Sequence, residues 1–282
     1  MPETSFLLPL LLQSAVVPFG VAVAVLAACR AARLDALASL LAVAAGFVAS
    51  YFAILHAQWS LVPRVALDWL PWIAVAGAVA AIAGDKLPGA VSRFALRLVV
   101  SLVAAGLVVS SAIGSLGPVK AALTALATGL ALAGLWTLVT RPAQGAATRP
   151  LLLAVVAGGT GLVLMMDSSQ SMGQLSGALA MALAACVLFA LPAIGVRFTP
   201  AAAGLAVLLL GVLWATAHVY SGFSLGYVAM LAGALLVDPL LAVIRRSERG
   251  GLPWVPAAVL TAIPVAVTVA LAVKAMQESG GY

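Results

Sequence analysis

Few side chains in this sequence can do chemistry, so any that interrupts an apolar run stands out. In "GALLVDPLLAVIRR" (Gly233 to Arg246) a carboxylate, Asp238, is followed at once by Pro239. An aspartate inside a membrane span costs on the order of 2.5–3.5 kcal/mol on insertion scales. It therefore needs a partner or a proton. Pro239 has no N–H and frees a carbonyl one turn back. Two roles fit. Asp238 is either a proton- or cation-coupling carboxylate facing a cavity, or a structural one paired with a basic loop residue such as Arg197 or Arg249.

Two further stretches can open a helix backbone to a ligand. "VVPFG" (Val16 to Gly20) carries Pro18, and "AGGTG" (Ala157 to Gly161) carries Gly158, Gly159 and Thr160. Many secondary transporters bind their cargo between broken helices near the bilayer midplane. The same small residues equally suit close approach of neighbouring helices. His218 ends an apolar run, with Tyr220 and Ser221 beside it. It reads as an interfacial residue or as part of an external mouth. "MMDSSQSMGQLSG" is polar, but Ser171 and Gln174 have the spacing of a capping box, and Asp167 ends the preceding run.

Other chemistries are poorly supplied. No second histidine lies four residues from His56 or His218, as a helical zinc or haem pair would require. The P-loop, H-E-x-x-H, G-x-S-x-G and dinucleotide signatures are missing from the sequence. Cys29 and Cys186 lie in apolar runs and read as packing residues. No cofactor or metal is expected, and a lone intramembrane carboxylate has no partner for paired acid–base work.

Composition fixes the elements that must position these groups. The chain has 282 residues, 65% hydrophobic and 8% charged, against roughly 25% charged in a soluble domain. Its mean hydropathy of +1.21 belongs in a bilayer. The ten-residue alternating segments of a membrane barrel are missing, so the expected fold is an all-α, polytopic integral membrane bundle. Spans of about 17 to 25 residues are predicted at Leu7–Ala28, Leu37–Leu55, Trp69–Ala83, Phe94–Ile113, Val119–Val139, Leu151–Met166, Leu175–Val196, Ala201–Val219, Gly226–Ile244 and Val255–Val273. The third and sixth are short. Residues 1–282 read as one transmembrane domain of ten helices, with halves 1–140 and 150–282 around "TRPAQGAATRP". Five spans per half suggest an inverted repeat.

Eleven of the fourteen Lys and Arg residues fall in odd-numbered connections or within the first turn beside them. Cytoplasmic loops are enriched in these residues, so both termini are expected outside the cytoplasm. The net charge of +6 is scattered in short flanks and does not read as a nucleic-acid footprint. The expected partners are the lipid bilayer, a small solute or lipid, and other membrane proteins. The sequence thus points to an inner-membrane permease for a small solute or lipid-like molecule. Its rivals are a non-catalytic scaffold subunit and, third, a lipid- or polyprenyl-processing enzyme.

Overall fold

The computed structural model describes residues 8–57, 59–141, 147–244 and 254–278. Among them the chain is helical, with no strand. Eight helices precede residue 222: α1 Leu8–Ala31, α2 Asp35–Leu55, α3 Ala66–Lys86, α4 Ala90–Ser110, α5 Pro118–Val139, α6 Thr148–Asp167, α7 Gln170–Phe189 and α8 Pro200–Ser221. Two short helices follow, α9 Leu225–Leu235 and α10 Val237–Ile244, and then α11 Trp254–Glu278. By length and composition, nine of the described helices can cross a membrane, namely α1 to α8 and α11. The ninth expected span is not one helix. It breaks at Leu236, which forms the turn between α9 and α10.

The two spans that looked short are complete. The third gains a 3₁₀ turn, Ala66–Trp69, at its N-terminal end. The sixth starts at Thr148, with Pro150 in its first turn, where the missing N–H costs no helical bond. The seventh span was placed too late in the chain: it runs over Gln170–Phe189, not Leu175–Val196. Its polar start is part of the helix because the bundle absorbs it. The Ser176 hydroxyl donates to the Ala157 carbonyl across the α6–α7 contact, at 2.8 Å. The capping box at Ser171 is accordingly not formed. The N-cap is Ser169, without a side-chain bond, and Gln174 is buried inside α7.

The bundle is arranged around α8. Every α8 residue from Ala201 to Ala217 is buried, and α2 to α7 all pack on this helix. Thr199 caps its start by accepting from the Ala202 N–H at 3.2 Å. Ser39, at the start of α2, accepts from the Thr199 N–H at 3.1 Å, which ties the two helix starts together. Gly204 gives α8 a notch: any Cβ there would collide with the Trp136 indole of α5. Lipid tails are as apolar as leucine, so fits and bonds of this kind hold the helices together. The flanks are unlike each other. α1 packs on α2 and α7, whereas α6 packs along α11. Cys29 and Cys186 are free and buried, as packing residues should be.

Candidate functional site

The candidate residues occupy four places. Pro18 lies in α1, buried against α2 and α7. It does interrupt its span: Leu12–Val16 form a π turn, in which the Val17 N–H reaches the Leu12 carbonyl. In that register the next donor would be residue 18, which has none. The Gln13 carbonyl is freed, and the Ser50 hydroxyl of α2 donates to it at 2.5 Å. The interruption is therefore closed by a neighbouring side chain.

"AGGTG" behaves differently. α6 runs through it without a break, and its residues are contact points. A Cβ at Gly158 would sit 3.8 Å from Ala180 of α7. One at Gly159 would collide with Val265 of α11. One at Gly161 would come within 2.9 Å of the Gly173 carbonyl. The close-packing reading holds here, because α7 and α11 both approach α6 at this level. The interrupted spans among the described residues are the first and the ninth.

Thr160 and His218 are brought near each other by a residue that the sequence reading passed over. The Trp214 indole N–H of α8 donates to the Thr160 hydroxyl at 3.2 Å. Trp214 and His218 both line a cavity of about 250 Å³ between α5, α8 and α9. Thr128, Leu132 and Leu135 form its α5 wall, and Leu225 and Val228 its α9 wall. Thr128 and His218 are its polar members with hydrogen-bonding groups still free among the described residues. The His218 Nδ1 is engaged, 2.7 Å from the Phe223 carbonyl.

Asp238 does not line that cavity. It sits in the first turn of α10, where helix amides favour a negative charge. Pro239 next to it brings no N–H for the Leu235 carbonyl, so the span divides just before the Asp-Pro pair. The expected partners were Arg197 or Arg249. Arg249 lies outside the described residues, and Arg197 is exposed. The partner is Arg149 of α6, whose Nε lies 4.0 Å from the Asp238 Oδ2. Both side chains are shielded, at 8% and 13% exposure. Arg149 Nη2 also donates to the Arg141 carbonyl, while its Nε has no hydrogen bond. The pair is thus coulombic contact without a direct hydrogen bond. Arg149 was counted as a loop residue because the span was started at Leu151. Thr148 and Pro150 around it are the helix-start signals that would have drawn it inside.

A second carboxylate is structural. Asp68 is 3% exposed and accepts from the Arg64 and Val65 N–H groups at 2.8 and 3.2 Å. It closes the loop ahead of α3. Within that loop Trp59 packs edge-on against Phe52, with ring centroids 5.1 Å apart. Comparison with protein families and with curated proteins returns no match.

Proposed function

We propose that this chain is a permease for a lipid-like molecule, built on the divided ninth span. One observation carries the reading. The outer half, α9, walls a cavity through Leu225 and Val228, while the inner half, α10, carries Asp238 against Arg149. A span with a hinge at Leu236 can move these halves separately, and discontinuous helices serve that purpose in transporters. The cavity also opens toward lipid. Ala127 and Ala131 on its rim are exposed near the middle of α5, at a depth where a spanning helix meets acyl chains.

The proposed setting is an inner membrane with both termini outside, the two halves inserted in opposite senses. The alternating charges support it. So do the pairings Arg30 with the Ile194 carbonyl, Ser39 with Thr199 and Arg149 with Asp238, which gather basic, odd-numbered connections at one end of the bundle. Asp238 is proposed as the residue that couples inner opening to a proton or cation.

The test is two-sided access at Leu135, the cavity residue nearest the inner end of α5. Leu135→Cys is made with Cys29→Ala and Cys186→Ala and treated with a membrane-impermeant thiol reagent. A permease exposes it from either side in turn. Reaction from one side only contradicts the reading. A scaffold would then be preferred, which a second observation favours: α3 and α4 leave an apolar groove of about 360 Å³, lined by Trp72, Val99 and Leu107 among others, able to receive a partner helix.

A further inference from the structure

We infer that the cavity between α5, α8 and α9 takes the chain of a single-chain amphiphile with an uncharged, hydroxyl-bearing head. The inference rests on reading this cavity as the cargo site. It adds the chemical class, which the wall itself specifies.

The polar end comes first. A carbonyl oxygen only accepts, so the 2.7 Å contact with Phe223 requires the proton on His218 Nδ1. In the neutral ring Nε2 is then an acceptor, and it has no hydrogen-bond partner among the described residues. A ligand group beside it must donate, as a hydroxyl does. No Asp, Glu, Lys or Arg lines the cavity, so its wall offers a charged head no counter-charge. An uncharged head is the one this wall fits.

Depth fixes the orientation. His218 is three residues from the end of α8, about 5 Å along the axis. Tyr220 and Ser221 beyond it are exposed. Leu132 and Leu135 lie about two to three turns deeper, on the apolar wall. A head at His218 thus stays at headgroup level while its chain points inward. A volume of about 250 Å³ is the space of roughly eight waters. That admits one short chain, or part of a longer one leaving past Ala127 and Ala131.

Trp214 lines the cavity and reports occupancy. The protein is reconstituted in vesicles and titrated with octyl glucoside brominated at the chain end, or with bromo-octane, at matched mole fractions in the bilayer. Bromine quenches an indole that it touches. The Trp214 signal is the difference between the wild-type chain and Trp214→Phe. The glucoside should quench saturably, and about fivefold more tightly than the headless alkane, the worth of one net hydrogen bond. Ala131→Leu, at an exposed rim position that spares the fold, should abolish the saturable part. Equal affinity for both probes overturns the hydroxyl assignment. Non-saturating quenching, or quenching that persists in Ala131→Leu, overturns the site. Saturable binding together with one-sided access at Leu135 leaves this site standing and removes the permease reading.

Discussion

Arg149 Nε and Asp238 Oδ2 lie 4.0 Å apart, joining the first turn of α6 to the first turn of α10. Both side chains are shielded from water, so removing one leaves the other charged where it is poorly solvated. Arg149→Gln and Asp238→Asn should each lower thermal stability in detergent. The double variant should lose less than the sum, with a coupling of about 0.5–3 kcal/mol. A thiol-reactive dye reports the transition, because Cys29 and Cys186 are buried until the bundle opens. Strictly additive losses would mean that the pair carries no interaction.

Pro18 and Ser50 form a second testable pair. The Ser50 hydroxyl serves the Gln13 carbonyl because residue 18 has no N–H. In the natural chain Ser50→Ala leaves a buried acceptor unpaired, at a cost of about 1–3 kcal/mol. With Pro18→Ala present the backbone regains a donor, and Ser50→Ala should then cost little. An equal loss in both backgrounds would contradict the account of the π turn.

At Gly159 the expectation is steric. A Cβ there would collide with Val265 of α11. Gly159→Leu should lower stability by about 1–3 kcal/mol, as overpacking does, and activity should fall with it. Val265→Ala in the same chain should restore part of the loss. An unchanged melting temperature for Gly159→Leu would show that α11 does not pack on α6 as described.

The architecture was largely legible because apolar run length and loop charge are local properties. The places where the reading failed share a cause: their polar groups are satisfied by helices distant in sequence. Ser176 looks like part of a loop until the Ala157 carbonyl is beside it. Arg149 looks like a loop cation until Asp238, 89 positions later in the chain, faces it. "AGGTG" left a break and close packing both open on sequence alone, and it took the positions of α7 and α11, which use its glycines for contact, to decide for packing. "VDP" did carry its own signal, since an acidic residue followed by proline suits the start of a helix. Trp214 carried none. An indole in an apolar span says that a hydrogen-bond acceptor must be near, without saying that it is Thr160.

Orientation has an independent test. A reporter active only outside the cytoplasm should be active when fused after Tyr282. It should be silent in the "RRSERGG" connection, Arg245 to Gly251. The reverse pattern would overturn the assignment of both termini to the outside.

Transbilayer movement tests the permease reading most directly. Vesicles are made with a labelled long-chain alkyl glucoside in both leaflets, and a glucosidase that cannot enter is added outside. Protein-free vesicles should protect about half of the label. Vesicles holding the wild-type chain should lose all of it, as inner-leaflet glucoside is carried outward. Ala131→Leu, which narrows the rim of the cavity that Trp214 and His218 line, should return protection to about half. Protection of half the label by the wild-type chain, unchanged from protein-free vesicles, would contradict the account.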